Sequence, residues 1–301
     1  MEQNKIDLIQ TDSPKTQSSA GVNAESFLSS QKEGSSSRFY CDALYDYSIN
    51  NVIGSLVPHL ITLVGFSEIG KSTFVSSMYH ELMINGCIGE YQFIDSDTFA
   101  GFERRAYVRN AKISPERRLA RTTNQEGYFL TMEFIKGHEQ KKLIISDRSG
   151  ETYQKVYTSD LNAVKKDVAL INSPHIIFFI DVSSLMNDTE FLSFKDSFGL
   201  LLTRMQQADV FVNRKTLDIL FNQSDKLVTD KQKKIFEENA VTIKQMIKEH
   251  GNISQEFNII SNRMVDNEGL NNVFKYMVSS CDAFNEDVVE NVDWVSSFLK
   301  D

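Results

Sequence analysis

Five short apolar runs punctuate the chain: His59-Leu-Ile-Thr-Leu-Val-Gly65, Lys142-Leu-Ile-Ile-Ser-Asp147, His175-Ile-Ile-Phe-Phe-Ile-Asp181, Thr216-Leu-Asp-Ile-Leu-Phe-Asn222 and Phe257-Asn-Ile-Ile-Ser-Asn262. Each has strand length and is continuously apolar instead of alternating, the pattern of a strand covered on both faces. Between them lie helix-length stretches at 71–85, 152–171, 188–208, 230–249 and 268–281, several followed by turn signals such as Asn85-Gly86 and His250-Gly251. This alternation predicts a three-layer α/β fold with a mostly parallel sheet. One unit departs from it. Tyr128-Phe-Leu-Thr-Met-Glu-Phe134 partly alternates, Lys136-Gly-His-Glu139 reads as a turn, and the next apolar run follows at once. So short a link makes a β-hairpin, which adds one antiparallel edge strand.

Residues 1–38 hold nine Ser and a single aromatic, Phe27, too little apolar surface to offset the entropy of ordering. They are expected to form a flexible tail, with the folded domain over 39–301. A C-terminal helical extension is expected near 287–299, where Val288, Val289, Val292, Val295 and Leu299 share a face. Lys plus Arg is 32 against 41 for Asp plus Glu, a net charge of −9 that argues against gripping a nucleic-acid backbone or an anionic membrane. Cys41, Cys87 and Cys281 are odd in number and far apart, as in a reducing compartment. The apolar run Ile176–Ile180 is too short to span a bilayer, and neither a leader nor a lipidation signal is evident. A cytoplasmic location is expected.

The chemistry concentrates on strand ends. Gly65-Phe-Ser67-Glu68-Ile69-Gly70-Lys71-Ser72, followed by Thr73, fits G-x-x-x-x-G-K-[ST] between an apolar strand and an amphipathic helix. Glycines let such a loop wrap phosphates closely, backbone N–H groups and the helix N-terminus donate to anionic oxygens, Lys71 neutralises the β and γ groups, and Ser72 is the expected Mg²⁺ ligand. At another strand end stands Asn222-Gln223-Ser-Asp225, where an Asp carboxylate can accept two N–H donors from the edge of guanine, a pattern adenine does not present. The five histidines show no metal-ligand spacing.

The order and position of Asn222, Gln223 and Asp225 resemble the Asn-Lys-x-Asp guanine motif of Ras-like and translation-factor GTPases, with Gln223 replacing the Lys. Asp147-Arg-Ser-Gly150 resembles their Asp-x-x-Gly switch motif, which implies Mg²⁺ held by Asp147 through a water and γ-phosphate sensing by the Gly150 amide. Ser261-Asn262-Arg263 resembles the loop that completes the guanine pocket. In related GTPases a Thr before the hairpin ligates Mg²⁺; Thr122 and Thr123 are the candidates. The resemblance covers residues 58 to 280 and implies a P-loop NTPase fold of Ras-like type with GTP or GDP and Mg²⁺ as ligands.

Between Lys71 and Thr122 lie 50 residues, more than a minimal Ras-like domain uses, so 87–121 is read as an insertion. It gathers Arg104, Arg105, Arg109, Arg117, Arg118 and Arg121, six of the eleven arginines. A guanidinium from this group, Arg121 or Arg118 for preference, could reach the γ-phosphate in cis; a solvated or partner-docking basic face is the alternative. Glu151 stands where Ras-like enzymes commonly place the Gln that orients the attacking water. A carboxylate there would accept from the water yet repel the γ-phosphate, so slow hydrolysis is expected. Equally, Glu151 could simply serve the N-terminus of the helix that follows. In finer detail, Ser96-Asp-Thr-Phe-Ala-Gly-Phe-Glu103-Arg-Arg105, Arg121-Thr-Thr123 and Asp147-Arg-Ser-Gly-Glu151 resemble the bacterial double-GTPase group found beside effectors in conflict systems. That resemblance implies a GTP-hydrolysing switch acting on a partner protein, an effector or activator, through the loops around Thr122 and Asp147. A GTP-binding scaffold that does not hydrolyse is the alternative.

Overall fold

The computed structural model describes residues 42–46, 49, 58–108, 128–212, 215–260 and 268–287, all within the unit Arg38–Asp301. The tail over 1–38 and the helix expected over 287–299 lie outside these residues, apart from Asp287 itself.

Eight strands form one sheet: β1 (His59–Val64), β2 (Cys87–Ile88), β3 (Tyr91–Asp95), β4 (Phe129–Lys136), β5 (Glu139–Ser146), β6 (His175–Asp181), β7 (Thr216–Asn222) and β8 (Ile253–Ile259). Their order is β2-β3-β4-β5-β1-β6-β7-β8. Strands β5, β1, β6, β7 and β8 are parallel, in register through His59↔Leu143, Ile61↔His175, His175↔Thr216 and Asn222↔Ile259. Their C-terminal ends therefore share one rim, where Gly65, Asp147 and Asn222 stand. The hairpin joins β4 antiparallel to β5, from Phe129↔Ser146 to Lys136↔Glu139, as the turn at Gly137 predicts.

The sheet then continues past β4. Strands β3 and β2 add two antiparallel pairings from within the insertion, so β4 is an interior strand and not the edge. Gln92 and Asp95 break up the apolar pattern that identified the other strands, and Ile94 is exposed. The other edge strand, β8, begins earlier than its apolar core suggests, because Ser254, Gln255 and Glu256 are exposed.

The covering helices are α1 (Lys71–Asn85), α2 (Phe99–Val108), α3 (Leu161–Lys165), α4 (Val168–Asn172), α5 (Asp188–Gln207), α6 (Asp230–Lys248) and α7 (Glu268–Asp287). Alternate residues of the central strands feed the two faces. On one, Phe179 of β6 meets Phe74 of α1 at 5.1 Å, and Phe74 meets Phe274 of α7 at 5.0 Å. On the other, Phe178 meets Phe198 of α5 at 5.8 Å and Phe221 meets Phe236 of α6 at 5.2 Å. This is the expected three-layer fold. No helix among the described residues is long and apolar enough to cross a membrane.

The single helix expected over 152–171 is instead three pieces: a π-helical turn at Thr152–Val156, then α3 and α4. Two aspartates break it. Asp160 accepts hydrogen bonds from the Asn162 and Ala163 N–H groups, and Asp167 accepts from Leu170 N–H, so each begins a new helix.

Candidate functional site

The loop after β1 owes its shape to two left-handed residues, Glu68 at φ 66° and Gly70 at φ 92°. Successive N–H groups in such a conformation point inward and make an anion-binding concavity. At Gly65 a Cβ would lie 2.2 Å from Ile69 Cδ1 and 2.8 Å from the Phe179 carbonyl oxygen, so a side chain would displace the loop from β6. Gly70, which has no side chain to cap with, precedes α1, so the helix begins at the cavity with Lys71 and Ser72 in its first turn. Lys71 is buried, and its Nζ donates to the carbonyls of Gly65 at 2.6 Å and Phe66 at 3.2 Å, holding the ammonium inside the loop. The Ser67 Oγ is buried with no hydrogen-bond partner among the described residues. An unmet hydroxyl at a helix N-terminus suits a ligand rich in oxygen acceptors.

The cavity is lined by residues 66–73 and by 149–151. Gly150 closes against the phosphate loop so tightly that a Cβ would stand 2.3 Å from the Phe66 carbonyl oxygen. Just upstream, Asp147 is fully buried at the end of β5. Its Oδ1 accepts from Ser72 Oγ at 3.0 Å and its Oδ2 from Arg105 Nε at 2.8 Å. A hydroxyl that gives its proton to a carboxylate keeps a lone pair for a cation, and both are hard oxygen donors of the kind Mg²⁺ prefers. No cluster of three acidic, His or Cys ligands exists among the described residues. The remaining ligands of a Mg²⁺ here would be water and phosphate oxygens, its usual complement beside nucleotides.

Glu151 lines the same cavity, makes no side-chain cap hydrogen bond, and lies 3.7 Å from Lys155 Nζ. Arg148 turns away from it. Its Nε stands 2.6 Å from Asp167 Oδ2, and its guanidinium lies 3.7 Å from the centre of the Tyr128 ring. Although burial opposes the charge, Asp167 beside it raises the Arg148 pKa, so the guanidinium is firmly cationic.

On the far side of the loop, Asn222 is buried and its Nδ2 donates to the Ile69 carbonyl at 2.6 Å, tying β7 directly to the phosphate loop. Its Oδ1 accepts from Gln223 N–H, and Gln223 takes a left-handed φ of 65°. The following turn leaves Asp225 exposed, while Ser224 Oγ donates to the Ile259 carbonyl of β8. Thus Gly65–Thr73, Asp147, Gly150, Glu151, Asn222, Gln223 and Asp225 gather on one rim. Thr122, Thr123, Arg118, Arg121, Ser261, Asn262 and Arg263 lie outside the described residues.

The Double-GTPase 2 family model matches residues 59–277, from the first residue of β1 into α7. The chain belongs to the Double-GTPase 2 family. Membership implies guanine-nucleotide binding. No curated protein matches this Double-GTPase 2 sequence. Among solved structures, the bacterial selenocysteine-specific elongation factor EF-Sec is 13% identical with a TM-score of 0.40; the match covers 76% of this chain and 29% of that one. The Double-GTPase 2 chain thus spans less than a third of the elongation factor. The signal recognition particle receptor SRb-GTP/SRX complex from Chaetomium thermophilum is 15% identical, TM-score 0.41, covering 74% and 99% of the two chains. A nucleolar GTP-binding protein 1 from Plasmodium falciparum is 17% identical, TM-score 0.40, covering 82% and 97%.

One member of the site escapes the motif reading. Arg105 counts among the basic residues of the insertion, yet the sequence directs attention to Arg118 and Arg121. Its sign in the sequence is its place at the end of the Ser96–Arg105 segment, and in the structure its Nη1 donates to the Gly101 carbonyl at 3.1 Å.

Proposed function

We propose that the chain binds GTP and GDP with Mg²⁺ at this rim, hydrolyses GTP slowly, and uses the nucleotide to switch its interaction with a partner protein. The observation that carries the reading is the Asn222–Ile69 hydrogen bond, which joins the base-reading segment to the phosphate-binding loop as one body. In it, the loop N–H groups, Ser67 and Lys71 bind the phosphates, and Asp225 accepts from the guanine edge. Ser72 and Asp147 hold Mg²⁺, which screens charge on the β and γ groups. By the family resemblance, Thr122 or Thr123 is assigned to the metal, Ser261–Arg263 to the guanine pocket, and Arg118 or Arg121 to the charge of the transition state. Gly150, packed on Phe66, carries the γ-phosphate signal into the segment that begins at Glu151.

Glu151 favours a second reading, a GTP-binding scaffold without turnover, because its carboxylate borders the cavity where the γ-phosphate would lie. The resemblance to double-GTPases of bacterial conflict systems supports a cytoplasmic location and a protein effector or activator as the partner. Single-turnover incubation with Mg²⁺ and GTP, with ATP in parallel, tests the proposal through the nucleotide that stays bound. Bound GDP formed from GTP, with ATP ignored, is expected. GTP retained intact favours the scaffold, and equal use of ATP removes the guanine assignment.

A further inference from the structure

We infer that Arg105 is a positioning residue for Asp147, through which α2 of the insertion sets the divalent-cation side of the nucleotide site. The inference rests on the reading of Ser72 and Asp147 as that side. Asp147 is fully buried and its two carboxylate oxygens are divided between two donors on different helices: Ser72 of α1 at Oδ1 and Arg105 of α2 at Oδ2. One oxygen thus meets the helix that carries the expected metal ligand Ser72, while the other is held by the helix of the insertion. Neither Arg105 nor Asp147 is among the residues lining the cavity, and Arg105 reaches the carboxylate through its Nε.

The arginine is itself fixed. Its Nη1 donates to the Gly101 carbonyl. At Gly101 a Cβ would lie 2.6 Å from Ala43 N and 3.0 Å from Leu130 Cδ2, so α2 sits hard against β4 and the segment before it. Phe102 stacks on Tyr79 of α1 with ring centres 5.2 Å apart, and Tyr79 OH donates to Glu103. The helix that carries Arg105 and the helix that carries Ser72 therefore form one unit around the carboxylate. A shift of α2 must move Asp147 or break a buried ion pair, which is costly because it strands a charge. The insertion thereby becomes a handle on metal affinity, placed outside the cavity where a protein partner can reach it.

The test is release of a fluorescent GDP analogue from the full chain, measured in EDTA and across a Mg²⁺ titration. In Arg105→Gln the Mg²⁺ midpoint for slowing release is expected to rise by about tenfold, with release in EDTA within about twofold of the parent. Arg105→Lys keeps charge but loses the fork, and a rise of about threefold is expected. Arg104→Gln, one residue from Arg105, loses an exposed pair with Asp42 and is expected to leave the midpoint in place. An unchanged midpoint in Arg105→Gln overturns the inference. So does a lowered midpoint, which makes the arginine a competitor of the cation, and so does equal acceleration in EDTA, which makes its role purely structural. If circular dichroism finds Arg105→Gln unfolded, Arg105→Lys decides by the same criterion. Failure of the parent chain to bind the analogue, or to respond to Mg²⁺, instead overturns the reading of the site itself.

Discussion

Lys71 shows how a single side chain is shared between folding and binding. Its ammonium is buried among loop carbonyls, and under the proposed function it is also the cation that meets the phosphates. Lys71→Ala is therefore expected to weaken GDP binding by at least about 100-fold in calorimetric titration, since a charge-assisted contact to phosphate is lost along with the loop's internal tie. Asp225 is a different kind of residue, exposed and outside any helix longer than a turn. Asp225→Asn replaces an acceptor by a group that also donates, and the preference for GTP over ATP is expected to fall by about tenfold or more in competition binding with stability unchanged. At this scale the sequence was most legible where chemistry demands fixed spacing, as in Gly65–Ser72 and Asn222–Asp225. Arg105 was not legible because nothing in spacing along the chain reports that a helix from an insertion points a guanidinium at a strand end 42 residues away.

Strands were easier to read than the segment after Asp147. Continuous apolar runs marked β1, β6 and β7 directly, whereas the stretch 152–171 looked like one helix because its apolar residues keep a helical period. Asp160 and Asp167 carry the missing information, since an aspartate that caps a helix from inside a periodic stretch also ends the helix before it. Asp167 does more than cap. It accepts from Leu170 N–H and Tyr157 OH and pairs with the largely buried Arg148, while Tyr157 and Tyr128 flank that guanidinium. Asp167→Ala leaves Arg148 without its main counter-charge, and a loss of about 3 to 5 kcal/mol is expected in urea unfolding. The π-helical turn at Thr152–Val156 lies between Gly150 and this cluster, in a stretch bounded upstream by Arg148 and downstream by Asp167, so under the proposed function it is the segment that would take up a rearrangement at Gly150.

Across the whole molecule, the end of the sheet opposite the nucleotide rim holds its own polar network. His59, His175 and Asp218 lie side by side on β1, β6 and β7; His175 Nε2 is 2.5 Å from Asp218 Oδ2, and Ser280 and Tyr276 of α7 complete the chain. Burial, with His175 beside it, lowers the His59 pKa to about 3. The unfolded chain takes up that proton near 6.5 and the folded one does not, so the His59 contribution to stability is complete above about pH 6.5. It is lost as pH falls from there toward 3, with a slope of up to about 1.4 kcal/mol per unit. Urea unfolding at pH 7, 6 and 5 is expected to trace that loss, and His59→Asn to reduce the slope. The strands of the parallel half were legible, apart from the early start of β8, but the far antiparallel side was not: β2 is only two residues long, β3 is partly exposed and interrupted by Gln92, and a sheet edge needs no continuous apolar run. Those two strands have a practical consequence for anyone trimming the chain toward a minimal domain. Removing 87–108 would bare the unsatisfied ladder of β4 along the Gln92–Asp95 pairing and invite intermolecular strand addition. What looks like an optional insert is this protein's protection against aggregation.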